Sequence, residues 1–178
     1  MINSDYNILK DWMFGKLSSL LENIEPNPEY PILKMSLGEP SLGVPNFSKN
    51  ILDLNYKDWA KYPPTEAIPI FSNSIMNYIK RRYPGADKLV NQNKNIVPVP
   101  GTREPLHLIG MLAKNLKSSE TIALVTNPFY HAWLAGSISS GSKIHWLNSL
   151  PENNYLPDIS NLPEKLLKSS VIMYICSP

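Results

Sequence analysis

The chain has 178 residues, of which 43% are hydrophobic and 18% are charged, and its formal net charge is +2. These values are typical of a globular protein. They exclude both the charge excess of a disordered chain and the basic surface that binds nucleic acid. The single cysteine excludes an internal disulfide, and the sequence contains no apolar run of about 18 residues that could span a membrane. We expect a cytoplasmic protein with no nucleic-acid or membrane partner.

The first forty-odd residues are predicted to form an arm. Apolar residues recur at helical spacing between Met13 and Ile24, which predicts one amphipathic helix. Three prolines between Pro26 and Pro31 prevent that helix from continuing. A short extended run is predicted over residues 32–37, and no regular element is predicted over residues 41–60.

Strands and helices alternate in the rest of the chain. A helix is predicted from Ile68 to Arg82, and the following Pro84 and Gly85 prevent it from continuing. Strands are predicted at residues 96–99, 121–125, 143–147 and 171–175, and helices at residues 102–116, 129–140 and 163–168. This order predicts an α/β fold with a mostly parallel sheet and helices on both of its faces.

The turn between residues 96–99 and the following helix is a candidate anion site. Gly101 allows the backbone to approach a phosphate closely, Thr102 offers a hydroxyl and Arg103 offers a positive charge. The alternative is an ordinary helix start, in which Thr102 caps the helix and Glu104 complements the helix dipole. The turn matches neither a Walker loop nor a dinucleotide-binding fingerprint.

The segment after the second predicted strand is rich in aromatic residues, with Phe129, Tyr130 and Trp133 close together. Ligands bind at the carboxyl ends of parallel strands, where an aromatic ring can stack on a flat ligand. The alternative is that all three rings pack on the sheet. The three histidines and Cys176 have no spacing typical of metal ligands, so we expect no metal site.

Six segments of the sequence, in their order and separation, resemble the class I/II, fold-type I aminotransferases that depend on pyridoxal phosphate. The likeness is nearest to the succinyldiaminopimelate aminotransferase group of bacterial lysine biosynthesis. The segments are residues 14–17, 35–40, 61–65, 100–104, 127–130 and 174–178. The resemblance implies that residues 1–60 form the N-terminal arm and a small-domain segment. Residues 61–178 would form the N-terminal half of the cofactor-binding large domain, incomplete and ending after its fourth strand.

The resemblance also implies which residues bind the cofactor, pyridoxal 5′-phosphate. Gly101, Thr102 and Arg103 would hold its phosphate, and Tyr130 would stack on its pyridine ring. Tyr62 would reach the phosphate of the cofactor bound by a partner subunit, because such enzymes are dimers with shared active sites.

Substrate contacts are implied for Gly38, in the loop that closes over the substrate carboxylate, and for Trp133. The implied reaction is transamination, in which the amino group of an amino acid passes to the cofactor and then to a 2-keto acid. The lysine that forms the Schiff base in this family would lie beyond Pro178. No residue of this chain is therefore predicted to be catalytic.

We expect the isolated chain to be inactive and prone to aggregation unless a partner completes it. The partner would be a second copy, as in the homodimers of the intact family, or a complementing chain that supplies the C-terminal part. Two alternatives stay open. One is a non-catalytic remnant or phosphate-binding α/β module, and the other is a lyase of the same fold.

Overall fold

The computed structural model describes Asn7 and residues 13–33, 35–36, 38, 40–64, 68–114 and 120–176. One compact unit comprises the described residues up to Asn23 together with those from Val99 onwards, and the other comprises Ile24–Pro98. The domain boundary predicted at residue 60 stays a prediction. Parts of the motif segments at residues 35–40, 61–65 and 174–178 lie outside the described residues.

Six α-helices and three β-strands make up the regular structure of the described residues. They are α1 (Met13–Leu21), α2 (Asn46–Leu54), α3 (Pro69–Arg82), α4 (Arg103–Leu112), β1 (Ile122–Asn127), α5 (Ala132–Ser139), β2 (Lys143–Asn148), α6 (Glu164–Ser169) and β3 (Ser170–Tyr174). No helix in this part of the chain is long and apolar enough to cross a membrane.

The three strands form one parallel sheet in the order β2-β1-β3. The connection through α5 runs from β1 to β2, and the connection through α6 runs back across β1 to β3. Because such crossovers are right-handed, connections in opposite directions place their helices on opposite faces of the sheet. The predicted parallel sheet with helices on both faces is therefore confirmed.

The central strand β1 is apolar on both faces because both faces are covered. Ala123 and Val125 belong to one core cluster, with Trp133 of α5 and Tyr174 of β3. Ile122 and Leu124 belong to a second cluster on the other face, with Leu147 of β2 and the partly buried Leu162 and Leu166. The alternation of the two clusters along β1 follows the two-residue period of a strand.

Helices α4 and α5 pack closely on one face of the sheet because each carries a glycine at the contact. A Cβ atom on Gly136 would collide with the backbone carbonyl of His107, and a Cβ on Gly110 would lie 2.6 Å from the hydroxyl of Tyr174. This close approach fixes the start of α4 relative to the start of α5.

The strand predicted at residues 96–99 is wrong, since the described structure has three strands and none of them includes these residues. A strand exists only where its backbone groups bond to a neighbouring strand, and no described segment pairs with residues 96–99. The sheet accordingly contains β3 as its third strand, whereas four strands were predicted.

The unit Ile24–Pro98 contains α2 and α3. The predicted helix from Ile68 to Arg82 is confirmed as α3, and it ends before Gly85, which has a φ of 89°. In contrast, α2 and a 3₁₀ turn at Tyr56–Ala60 lie where no regular element was predicted. Among the described residues of this unit, Ser72 alone is buried, so the unit has almost no core of its own.

Candidate functional site

The start of α4 carries the three residues predicted to bind phosphate. Gly101 has a φ of 114°, a conformation that residues with a side chain rarely adopt, and a Cβ there would meet nothing within 4 Å. Thr102 has helical dihedral angles, and its side chain makes no capping hydrogen bond. Arg103 is the first residue of α4 and is exposed. The side-chain cap that the alternative assigned to Thr102 is therefore absent, whereas Glu104 lies in the first turn of α4 as that alternative expected.

The first turn of α4 leaves few but well-placed backbone donors. Pro105 has no N–H group, and the N–H of Leu106 already donates to the carbonyl of Thr102 at 3.1 Å. The N–H groups of Thr102, Arg103 and Glu104 have no carbonyl acceptor within α4, as is general for the first residues of a helix. These three donors and the helix dipole make this end of α4 suitable for an anion.

A pocket of about 530 Å³ lies between the starts of α4 and α5. It is lined by Arg103, Glu104, His107 and Leu108 of α4, and by His131, Ala132 and Ala135 at the start of α5. The guanidinium of Arg103 and the imidazole of His131 therefore face one common space at the carboxyl-end side of the sheet.

The pocket is lined by one basic side chain, Arg103, and one acidic side chain, Glu104. Burial lowers the pKa of His131, and the nearby Arg103 guanidinium lowers that pKa further. The imidazole of His131 is consequently mostly neutral at neutral pH. An anion that displaces water here would be attracted by Arg103 and by the helix starts.

Tyr130 is the most open of the three aromatic residues that follow β1. It is 36% exposed, its ring centroid lies 4.7 Å from that of His131, and its ring meets Trp133 edge to face at 6.2 Å. By contrast, Phe129 is packed on Trp146 at 5.0 Å. Tyr130 lies just before α5 begins at Ala132, and its exposure leaves the side chain accessible to a ligand.

Trp133 lies in the core. It is 6% exposed, and its ring stacks on Tyr174 with centroids 4.8 Å apart and planes 10° apart. Its indole N–H is buried and finds no acceptor among the described residues. The alternative that the aromatic residues pack on the sheet holds for Phe129 and Trp133, and the substrate-binding role of Trp133 stays a prediction.

The other two predicted site residues belong to the unit Ile24–Pro98. Tyr62 is fully exposed and lines a groove of about 610 Å³ with Trp59, Lys61 and Pro63 among its walls. Gly38 is exposed, and a Cβ on it would meet nothing within 4 Å. Each of the two is open to a ligand, and the roles implied for them stay predictions.

Two features of the site were not singled out from the sequence. The first is His131, which lies between Arg103 and Tyr130. The second is Thr126, whose hydroxyl forms hydrogen bonds with the segments that follow β1 and β3. A polar residue near the end of an otherwise apolar strand was the available signal for Thr126. No group of three or more metal-ligating side chains lies together in the described part of the chain.

The residues present fit the cofactor that the resemblance implies. Pyridoxal phosphate joins a phosphate dianion to a flat aromatic ring. Backbone donors and Arg103 suit the phosphate, and the open face of Tyr130 suits the ring. The space above Gly101, where any other residue would place a Cβ, leaves the backbone accessible to the phosphate.

Comparison with known proteins identifies relatives of the chain. The family model of the class I and II aminotransferases matches residues 30–178. The chain is 24% identical over 172 residues to an LL-diaminopimelate aminotransferase of Dehalococcoides mccartyi, covering 96% of this chain and 42% of the relative. It is 24% identical over 177 residues to the enzyme of that name from Aquifex aeolicus, covering 96% of this chain and 43% of the relative. These names differ from the succinyldiaminopimelate group to which the sequence was found most similar.

Two solved aminotransferase structures share the fold of this chain. An aminotransferase from Neisseria meningitidis superimposes with a TM-score of 0.86 and 26% identity, covering 99% of this chain and 44% of that protein. An aminotransferase from Staphylococcus aureus gives a TM-score of 0.72 at 22% identity, covering 98% of this chain and 42% of that protein, and supports the fold alone. The chain thus spans less than half the length of the relatives that it matches. With most of its residues matched by the family model, it belongs to the class I and II aminotransferases.

Proposed function

We propose that the chain forms the phosphate- and ring-binding part of a pyridoxal phosphate-dependent aminotransferase. The observation that carries this proposal is that Arg103 and Tyr130 both lie next to His131. Arg103, at the start of α4, shares a pocket with His131, and the open ring of Tyr130 lies 4.7 Å from the His131 ring. A small molecule that carries both a phosphate and a flat ring would engage both features.

The phosphate would lie at the first turn of α4. The N–H groups of Thr102, Arg103 and Glu104 would donate hydrogen bonds, and the Arg103 guanidinium would add a charge-assisted one. Gly101 keeps the approach open because it has no side chain. The residue that precedes it, Pro100, has no N–H group to contribute, so phosphate binding depends strongly on Arg103.

The ring would lie against Tyr130. The aromatic face of Tyr130 would fix the plane of the stacked cofactor ring, and a neutral His131 beside Tyr130 adds no competing charge. When bound, pyridoxal phosphate supplies the electron sink for reactions at the α-carbon of an amino acid. No residue of this chain is proposed to move the substrate proton.

The predicted roles of Tyr62 and Gly38 are part of the proposal, whereas the substrate contact predicted for Trp133 is replaced by an indirect role. The full exposure of Tyr62 supports a contact with the phosphate held by a second subunit of a homodimer. The open surroundings of Gly38 support close approach of a substrate carboxylate. The burial of Trp133 argues for an indirect role, as the wall behind Tyr130.

The substrates proposed are an amino acid and a 2-keto acid, as in the family. The relatives from Dehalococcoides mccartyi and Aquifex aeolicus are named for LL-diaminopimelate, and we propose an amino acid of this diamino dicarboxylate class as the amino donor. Such a reaction would serve lysine biosynthesis. The proposed partner for full activity is a second chain, which would be another copy or a complementing C-terminal part.

The binding test uses pyridoxamine phosphate and pyridoxamine, because neither carries the aldehyde that would react with surface lysines. Equilibrium dialysis of the full 178-residue chain measures the dissociation constant of each. The proposal expects pyridoxamine phosphate to bind at least about tenfold more tightly than pyridoxamine, since the phosphate contributes charge-assisted bonds. Equal binding of the two, or binding of neither, would contradict it.

Two variants separate the phosphate contact from the ring contact. Arg103→Gln should weaken pyridoxamine phosphate about tenfold and leave pyridoxamine unchanged, whereas Tyr130→Leu should weaken both. Arg81→Gln and Tyr30→Leu make the same changes at exposed positions of the other unit and serve as controls. An Arg103→Gln variant that binds both ligands like the wild type would rule out Arg103 as a phosphate ligand.

A transfer assay separates the aminotransferase from the open alternatives. The chain is incubated with pyridoxal phosphate, LL-diaminopimelate and a 2-keto acid, alone and with its co-expressed complementing part. New amino acid formed from the 2-keto acid supports the proposed reaction. Binding without transfer in both samples would identify a non-catalytic binding module, and release of ammonia without transfer would identify a lyase.

A further inference from the structure

The hydroxyl of Thr126 joins two segments that leave the sheet at the same edge. Thr126 is the last residue but one of β1 and is 2% exposed. Its Oγ1 donates a hydrogen bond to the carbonyl of Pro128 at 3.1 Å and accepts one from the N–H of Cys176 at 3.2 Å. One side chain thus fixes both the loop after β1 and the chain after β3.

This connection continues the sheet beyond its last paired residues. The ladder between β1 and β3 ends at the pair Val125 and Tyr174, two residues before Cys176. On the other side of β1, Asn127 pairs with Asn148 through backbone and side chain, with the amide groups 3.1 Å apart. The β2 side is therefore held by regular pairing, while the β3 side is held at this level by the Thr126 hydroxyl.

A hydroxyl at this buried position requires a reason, because the four preceding residues of β1 are apolar. Burying a hydroxyl is unfavourable unless it forms hydrogen bonds, and valine would fill nearly the same volume. Thr126 uses its single donor and one of its acceptor positions within the protein. The side chain is therefore suited to holding the Pro128 carbonyl, beyond filling space.

The Pro128 carbonyl lies on the short path from β1 to Tyr130. Phe129 is anchored by its ring on Trp146, and the carbonyl of Tyr130 accepts a hydrogen bond from the N–H of Trp133 at 3.3 Å. Between β1 and these anchors, the bond from Thr126 sets the direction in which the loop leaves the sheet. Rotation of the loop at Pro128 would tilt the ring of Tyr130.

We propose that Thr126 is a positioning residue that sets the orientation of the Tyr130 ring through the carbonyl of Pro128 and couples it to the end of β3. This inference rests on the proposed function, in which Tyr130 stacks on the cofactor ring. The hydroxyl of Thr126 bonds to backbone groups of the protein. It acts through the loop, and its loss should change ring stacking more than phosphate binding.

The first test reads the position of Tyr130 without any ligand. The indole N–H resonance of Trp133 senses the ring current of Tyr130, whose ring meets it edge to face at 6.2 Å, and Tyr130→Leu calibrates that shift. Thr126→Val should move the resonance toward its position in Tyr130→Leu, and Thr126→Ser should leave it where the wild type has it. A resonance unmoved in Thr126→Val overturns the proposal.

The second test reads the coupling to β3 through hydrogen exchange at the backbone N–H of Cys176, which donates to Thr126 Oγ1 at 3.2 Å. Thr126→Val should raise the exchange rate of this N–H about fivefold, because the N–H loses its acceptor. Thr126→Ser should exchange like the wild type. Thr121→Val, the same change at a buried position just before β1, is the matched control and should also exchange like the wild type. An unchanged exchange rate in Thr126→Val would contradict the coupling.

The third test reads the ligand. Thr126→Val should weaken both pyridoxamine and pyridoxamine phosphate about fivefold, because the loss falls on the ring contact, and Thr126→Ser should restore both. If the wild type binds neither ligand, the proposed function fails while the indole shift still decides the role of Thr126. If the wild type binds and Thr126→Val binds equally well, the positioning role is overturned.

Should Thr126→Val not fold, amide exchange of Cys176 in the wild type decides. Protection of this N–H supports the proposal, and exchange as fast as in an unstructured peptide overturns it.

Discussion

Trp133 lies flat on Tyr174, and this stack joins the start of α5 to the end of β3 beneath the proposed cofactor site. The ring centroids are 4.8 Å apart, and the Tyr174 hydroxyl reaches on to the carbonyl of Leu106 in α4 at 3.3 Å. Three elements that position the site are therefore tied together by two aromatic side chains. The stack belongs to the stability of the unit, whereas Tyr130, 6.2 Å from Trp133, faces outward.

Replacing Trp133 should separate these two roles. Trp133→Leu should lower the free energy of unfolding by about 3 kcal/mol, because it removes a buried ring and leaves a cavity. The matched change Tyr130→Leu removes a partly exposed ring and should cost less than about 1 kcal/mol. Urea unfolding followed by circular dichroism measures both. Equal effects of the two changes would place Tyr130 in the core and contradict its assignment to ligand stacking.

The contact between α4 and α5 should tolerate no side chain at Gly136. Gly136→Ala should destabilise the protein by about 2 kcal/mol or more, because the new Cβ collides with the His107 backbone. Gly15→Ala makes the same change in the exposed helix α1. It should leave stability unchanged or raise it by about 0.5 kcal/mol, since alanine favours helix. Thermal unfolding should show a clear loss of stability for Gly136→Ala and none for Gly15→Ala. A neutral Gly136→Ala would mean that the helices can separate at little cost.

Removing the Tyr174 hydroxyl should have a smaller effect than removing the ring. Tyr174→Phe keeps the stack on Trp133 and loses the hydrogen bond to Leu106, so we expect a destabilisation of about 1 kcal/mol. Tyr174→Leu loses the stack as well and should cost about 3 kcal/mol. Denaturant midpoints at constant slope measure the difference, and a Tyr174→Phe variant as unstable as Tyr174→Leu would show that the hydroxyl carries the contact.

The parallel sheet could be predicted from the sequence more accurately than the number of its strands. Apolar runs bounded by turns placed β1 and β2 within two residues of their observed limits. Residues 96–99 carry the same kind of pattern and form no strand, because pairing depends on a neighbour that local sequence does not specify. Helix α2 was missed because Pro45 and several asparagines masked the helical spacing of its apolar residues Phe47, Ile51 and Leu54.

The candidate site shows the same division between local and tertiary information. Gly101 and Arg103 stand at the start of α4 as predicted, because a glycine followed by a helix start is a local signal. Which aromatic residue faces a ligand depends on where α5 begins. The helix was predicted from residue 129 and begins at Ala132, which leaves Tyr130 in the preceding loop and turns Trp133 into the core.

The stability of the unit should fall as the pH drops below neutrality because of His131. Burial and the nearby Arg103 lower the pKa of His131 from its ordinary value of 6.5. The unfolded chain therefore takes up the proton first. The contribution of His131 to stability is complete above pH 6.5 and is lost progressively as the pH falls toward the lowered pKa of the folded state.

Urea unfolding at several pH values between 7.5 and 5 measures this loss of stability. His131→Gln, which does not titrate, should reduce it, whereas His145→Gln should retain it because His131 is still present. A His131→Gln variant with the same pH dependence as the wild type would assign the loss to other groups and remove His131 from the electrostatics of the site.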